Sequence, residues 1–186
     1  MTRIAVFASG NGSNFEAIAK AVINGKINAK LSLLVCDKPG AKVLNRAARL
    51  GVPVFVSCPK DFDSRETYEA HILTALDNAG AKFIVLAGYM RIVGQTLLDA
   101  YESKIINIHP SLLPEFPGLN AIARAFEAGR AQTGVTVHYV DAGVDTGEII
   151  AQETVDILPE DTLEALEARV HVVEHRLYVD VLGRLL

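Results

Sequence analysis

Asn107 and His109 stand two residues apart in the stretch Ile105-Ile106-Asn107-Ile108-His109-Pro110-Ser111. The residues before them are apolar and β-branched, while Pro110, Pro114 and Pro117 interrupt the segment after them. Residues i and i+2 of an extended strand share a face. The pair is therefore expected to project together from the carboxyl end of a strand, where open α/β sheets collect their ligands. A neutral amide donor beside a titratable ring suits chemistry in which negative charge builds up on an oxygen. Taken alone, His109 reads better as an ordinary hydrogen-bonded histidine at a strand end. The segment Gly134–Gly147 shifts that balance, because a strand pattern there runs into a loop carrying Asp141 and Asp145 among glycines. A carboxylate brought beside His109 favours the charged imidazole.

The elements that must position these groups alternate along the chain. Arg3–Ala8, Leu31–Cys36, Val54–Val56, Phe83–Ala87 and Ile105–Ile108 read as strands. Between them, helical patterns cover Ser13–Asn24, Ala41–Leu50, a segment from Asp63 to about Ala79, and Gln95–Tyr101. In the first helix Phe15, Ile18, Ala19 and Val22 fall on one face. Asp63-Ser64-Arg65-Glu66 has the form of a capping box. Strands separated by helices need crossover connections, so the sheet is expected to be mostly parallel, twisted and covered by helices on both faces. After Gly118 the pattern changes: a helix near Ala121–Ala128, strands at Val135–Val140 and Glu148–Val155, then a helix capped near Thr162 and running to Leu185. The expected fold is an α/β, Rossmann-like sheet with a mixed C-terminal half.

With 186 residues, 50% of them hydrophobic and 22% charged, the chain is long enough for one domain with a real core. The net charge of −4 argues against nucleic acid as a partner. No apolar run approaches the ~20 residues of a membrane span. The strand pattern begins directly after Met1 and leaves no room for a signal peptide. Cys36 and Cys58 lack metal-ligand spacing and suit a reducing compartment. These features predict a cytoplasmic protein acting on small molecules, without a metal.

Ser9-Gly10-Asn11-Gly12-Ser13-Asn14 connects the first strand to the first helix. Glycines permit a sharp turn, and free N–H groups at a helix start favour an anion. The plain alternative is a tight turn with Ser13 as N-cap. A dinucleotide fingerprint also competes, since Asp37 ends the second strand, but Phe15 occupies the place of the third glycine. The loop also lacks the Gly-Lys-Ser/Thr ending of a P-loop.

Together with Phe62-Asp63-Ser64-Arg65 and Leu86-Ala87-Gly88-Tyr89-Met90-Arg91-Ile92, these motifs resemble the folate-dependent formyltransferases over nearly the whole chain. The Asn107–Gly118 and Gly134–Gly147 signatures are the most specific part. The resemblance implies transfer of a formyl group from 10-formyltetrahydrofolate, a co-substrate, to the amine of glycinamide ribonucleotide in de novo purine biosynthesis. It implies a catalytic set of Asn107, His109 and Asp145, with no metal. Gly12, Ser13 and Asn14 match positions that hold the acceptor's phosphate, and Glu174 matches a carboxylate that recognises its glycinamide portion. Arg65, Met90, Arg91, Ile92 and Val93 match folate-side positions. Asp141, Ala142, Gly143, Val144 and Asp145, together with Asn107, match the region closing around the pterin. A cis peptide before Pro114 is implied as well.

Each of these has a plainer alternative. Met90 and Ile92 suit core packing, Arg65 and Arg91 solvated charge, and Glu174 an exposed helix carboxylate. His138 suits a structural role, and His71, His171 and His175 carry no catalytic assignment. Relatives usually have histidines where this chain has Asn120 and Ile122. One domain is expected over residues 1–186, with a nucleotide-phosphate half over about 1–100 and a catalytic and folate half over about 101–186. A monomer and a homodimer fit equally. Two sister activities share the core: a deformylase with an added N-terminal domain, and a methionyl-tRNA formyltransferase with an added C-terminal one. Neither addition fits in this chain, which ends soon after its last helix. A non-catalytic folate or nucleotide binder would leave Asn107, His109 and Asp145 without a purpose.

Overall fold

The computed structural model describes residues 1–186. Its elements are β1 (Thr2–Ala8), α1 (Ser13–Ile23), β2 (Ala29–Cys36), α2 (Lys42–Leu50), β3 (Val54–Val56), α3 (Arg65–Ala79), β4 (Phe83–Leu86), α4 (Gln95–Ala100), β5 (Ile105–His109), α5 (Ala121–Glu127), β6 (Gln132–Tyr139), β7 (Ile149–Asp156) and α6 (Leu163–Leu185). A single 3₁₀ turn at Pro59–Asp61 is the one short element the sequence pattern does not announce. The strands form one seven-stranded sheet in the order β3-β2-β1-β4-β5-β6-β7. Pairing is parallel from β3 to β5 and antiparallel from β5 to β7.

Alternation along the buried strands creates two cores. Ile4, Val6 and Ala8 of β1, with Val85 and Ala87 of the β4 segment, pack on the side of α1, α2, α5 and α6. Ala5 and Phe7, with Ile84 and Leu86, pack on the side of α3 and α4. On β5, Ile106 and Ile108 belong to the first side and Ile105 to the second. Asn107 and His109 therefore share the α3/α4 face by strand period. Ile105 is the only β5 residue in that second core, so the polar pair stands beyond its edge, at the strand's carboxyl end.

Helix ends follow local chemistry, with some departures from expectation. Gly51 and Gly80 close α2 and α3 in the left-handed region, at φ 68° and 65°. Thr162 caps α6 by accepting from Ala165 N–H. The cap of α3 is a Ser64–Thr67 box and not one built on Asp63 and Glu66. Thr67 occupies the third helical position counted from Ser64, so its hydroxyl returns to the cap backbone. On α1, Ala21 is buried in place of Val22, which is only half-buried. Cys36 is buried and Cys58 half-buried, both as free thiols. No helix is long and apolar enough to cross a membrane.

Candidate active site

Strand order reverses between β1 and β4, so the loops after these strands diverge and open a crevice at their carboxyl ends. The two loops are tied together there. Ser9 N–H donates to Gly88 O at 3.0 Å, and Met90 N–H donates to Ser9 Oγ at 2.8 Å. The crevice continues past β5 as one cleft of about 780 Å³, within the range of small-molecule sites. Its walls include Ser9–Asn14, Leu86–Val93, Asn107–Pro110, Gly118–Ala123, His138, Asp141, Gly143–Asp145, Glu167, His171 and Glu174.

The Gly10–Asn14 loop is built by its backbone. Gly12 is the N-cap of α1, at φ 77° in the left-handed region, and contributes no side-chain cap bond. Ser13 is thus the first helical residue and not the N-cap. A Cβ on Gly12 would lie 2.4 Å from Val43 Cγ2, so no other residue fits. Arg46 anchors the loop from α2, donating from Nε to Asn11 O at 2.7 Å and pairing with Glu16. Glu16 N–H donates to Gly12 O, while the N–H groups of Ser13, Asn14 and Phe15 have no partner in the chain. Three unpaired donors at the positive end of a helix form a seat for an anion. Asn14 Oδ1 is sealed from solvent without a partner.

The other side of the site is built by cross-strand side chains. Antiparallel pairing sets Asn107 opposite His138 and His109 opposite Thr136, on one face. Asn107 Nδ2 lies 3.3 Å from His138 Nε2. His138 Nδ1 donates to Tyr139 O at 2.7 Å, so Nε2 is the ring nitrogen that meets both Asn107 and Asp145. The contact fixes the Asn107 amide at the cleft wall, with one Nδ2 N–H unused by the chain. Thr136 donates to Ser111 O at 2.7 Å and accepts from Leu113 N–H at 3.2 Å, pinning the loop after β5. The Leu113–Pro114 peptide in that loop is cis.

Asp145 joins this group from the β6–β7 loop, with φ 56° in the left-handed region. Its Oδ2 lies 3.4 Å from His109 Nδ1 and accepts from Gly118 N–H at 2.8 Å. Its Oδ1 lies 3.5 Å from His138 Nε2. Burial alone would raise the Asp145 pKa. The hydrogen bond with His138, the Gly118 N–H and the nearby imidazoles outweigh burial and hold the carboxyl below its ordinary value. His109 Nε2 is also engaged, facing Phe116 O at 2.8 Å. Both ring nitrogens of His109 thus face oxygen atoms. No group of three or more His, Cys, Asp or Glu side chains is arranged to hold a metal ion.

The remaining candidates divide. Met90, Ile92, Leu119 and Val144 are exposed and line the cleft, which excludes core packing for Met90 and Ile92. Arg91 and Val93 also line it, with Arg91 Nε held by buried Asp37 at 2.8 Å. Asp141 shapes the loop by accepting from Gly143 N–H and Thr146 Oγ1. Ala142 is outside the lining, as is Arg65, whose Cδ covers Gly94. Glu174 is buried and lines the cleft, so it is not the exposed helix carboxylate its position allowed. Sequence reasoning missed three contributors, namely the Phe116 carbonyl, the Gly118 N–H and the Thr136 hydroxyl. Two of these are backbone groups that no residue type announces.

Residues 2–182 match the Formyl transferase family. The chain belongs to that family. It is 52% identical over 186 residues, all of this chain and 95% of the relative, to a phosphoribosylglycinamide formyltransferase of Bacillus subtilis. Its fold superposes with a TM-score of 0.98 on glycinamide ribonucleotide transformylase 1 of Geobacillus kaustophilus, at 58% identity, covering 100% of this chain and 99% of that one. It also matches 13% of a trifunctional purine biosynthetic protein of Drosophila pseudoobscura, 46% identical over 175 residues, or 93% of this chain. The chain is accordingly a formyltransferase, with the mixed seven-stranded sheet of that fold.

Proposed function

We propose that this formyltransferase moves a formyl group from 10-formyltetrahydrofolate to the amine of glycinamide ribonucleotide, a step of de novo purine biosynthesis. The carrying observation is the meeting, in one cleft, of an anion seat at Gly12–Asn14 with Asn107, His109 and Asp145. Relatives named for this activity support the choice of acceptor. The seat suits the acceptor's phosphate, with Gly12, Ser13 and Asn14 around it and Glu174 toward the glycinamide portion. The apolar wall of Met90, Ile92 and Val144 suits a flat bicyclic ring, with Arg91, Val93 and the Asp141–Asp145 loop completing that end. Ala142 is assigned there through the loop backbone, and Arg65, outside the cleft lining, to the outer part of the folate. The halves 1–100 and 101–186 share the work, since Met90–Val93 and Glu174 cross the simple division into phosphate and folate parts.

In this scheme the acceptor amine attacks the formyl carbon, and the C=O π pair moves onto oxygen. The free N–H of Asn107 donates to that oxygen. Cationic His109 stabilises it by charge and by the Nε2–H, once the formyl oxygen replaces Phe116 O as its partner. Asp145 keeps His109 charged and assists removal of the proton from the attacking nitrogen. Collapse re-forms C=O, breaks the bond to the folate nitrogen and leaves the proton on that nitrogen. Holding both reactants side by side lowers the barrier through proximity. Removing one oxyanion donor typically costs about 10²–10³ in rate.

The test is to incubate the protein with 10-formyltetrahydrofolate, with and without glycinamide ribonucleotide, and follow the folate product. Turnover that requires the acceptor is the expected outcome. Turnover without it would make the protein a hydrolase, and no turnover would leave it a binder.

A further inference from the structure

The short loop Glu115–Gly118 touches both members of the His109–Asp145 pair. Phe116 O accepts from His109 Nε2 at 2.8 Å, and Gly118 N–H donates to Asp145 Oδ2 at 2.8 Å. The path of the loop turns on Phe116, whose φ of 49° lies in the left-handed region. A bulky side chain rarely adopts that conformation, which persists only where the surroundings hold it. Here the holding comes from Arg124 of α5 and from Arg130, between α5 and β6. Both guanidinium groups stand over the half-buried Phe116 ring, each with Cζ 5.7 Å from its centroid. That separation is within the reach of a cation–π attraction. Each arginine is also bonded to the same loop. Arg124 Nη2 donates to Pro117 O, while its Nε is sealed from solvent without a partner. Arg130 Nη2 donates to Glu115 Oε1 at 2.5 Å, and Glu115 O accepts from Ser111 Oγ at 2.5 Å.

We propose that Arg124 and Arg130 are positioning residues for the transfer step: by clasping the Phe116 ring they fix the loop that holds His109 and Asp145. The proposal rests on the transfer reading made above. Neither arginine lines the cleft, and neither does Phe116, so all three act on the reaction through the loop backbone. The Phe116 carbonyl sets the imidazole where the formyl oxygen takes over as acceptor. The Gly118 N–H keeps the Asp145 carboxylate turned toward His109 Nδ1. Loosening the clasp frees the ring, and the two backbone groups lose their preset directions together. An oxyanion donor held off its line costs rate and leaves ground-state binding nearly untouched. Arginines that only stabilised the surface would lower the melting temperature and leave turnover as it was.

Steady-state kinetics of the full chain, varying each substrate, test the idea on four proteins. These are wild type, Arg124→Met with Arg130→Met, Phe116→Leu, and all three substitutions combined. Methionine keeps an apolar stem and removes the charge and the donors. The double arginine variant is expected to lower kcat about tenfold, with both KM values within about twofold. Phe116→Leu is expected to lower kcat by a similar factor. In that background the arginine substitutions should add less than about twofold, because their effect passes through the ring. A kcat loss below about threefold, a loss carried by KM, or a further loss above about threefold in the Phe116→Leu background overturns the proposal. Should the double variant fail to fold by circular dichroism, exposed Arg130→Met alone decides. It is expected to lower kcat about threefold, and an unchanged kcat overturns the proposal. If wild type shows no acceptor-dependent turnover, the transfer assignment itself fails and the proposal falls with it.

Discussion

The two ends of the cleft are made of different material. At the β1–α1 loop, backbone N–H groups at a helix start do the work, and Gly12 is required because its φ and the closeness of Val43 exclude any side chain. At the β5–β6 end, side chains in antiparallel register do the work, with Asn107 against His138 and Asp145 reaching in from the loop beyond. A parallel strand followed by a helix delivers main-chain dipoles to its carboxyl end. An antiparallel pair delivers facing side chains at close range. Binding of a fixed anion suits the first, and proton management suits the second.

Substitution should therefore act differently at the two ends. The largest effect belongs to the side-chain end. His109→Ala and Asp145→Ala are each expected to fold normally by circular dichroism yet lose at least about 10²-fold in kcat. Near-normal turnover from either folded variant would remove it from the catalytic set. At the backbone end, Gly12→Ala is expected to destabilise by about 1–3 kcal/mol and to raise the acceptor KM, measured by thermal melting and kinetics. Ser13→Ala should change the KM far less. A reversal of that order would show that the hydroxyl, and not the backbone, holds the anion.

Smaller effects sharpen the contrast. Thr136→Val removes a donor to Ser111 O and an acceptor for Leu113 N–H in a buried place. A loss of about 1–3 kcal/mol in stability is expected from denaturant unfolding, with a modest fall in kcat as the loop carrying Phe116 loosens. Acid titration has the least effect near neutral pH. Asp145 has a depressed folded pKa, so its contribution to stability is complete above its ordinary 3.8 and is lost as pH falls through the lower folded value. Asp161 behaves likewise. Held by both arms of Arg169 and by Leu158 N–H, it is pulled down to about 2. Its advantage over Asp161→Asn in thermal melts should shrink between about pH 4 and pH 2. A constant difference across that range would disconnect the pair from stability.

Much of this arrangement was legible in the chain itself. Alternating apolar runs and glycine stops located every regular strand and helix, because period and turn chemistry are local properties. β6 begins three residues earlier than its apolar run, at Gln132, because pairing with Asp156 of β7 extends it through polar residues. The placing of Asn107 and His109 on one face also followed from strand period alone. Other features needed the assembled sheet. For Met90 and Ile92 the sequence left core packing open beside the folate-side reading, and only the divergence of the loops after β1 and β4 shows them exposed on a cleft wall. His138 becomes the partner of Asn107 only through the β5–β6 register, which a one-residue slip would abolish.

The sequence by itself determined which residue types stand at the ends of which strands, where the glycine loop before the first helix lies, and that a histidine and a carboxylate were available. Those depend on covalent order and local conformational preference. Tertiary structure alone decided that Asp145 reaches both imidazoles, that Phe116 O faces His109, and that Glu174 is buried with one oxygen tied to His171. These contacts join residues brought together by register, loop path and helix packing, and several use backbone atoms common to every residue. Residue identity carries no record of where such atoms will point.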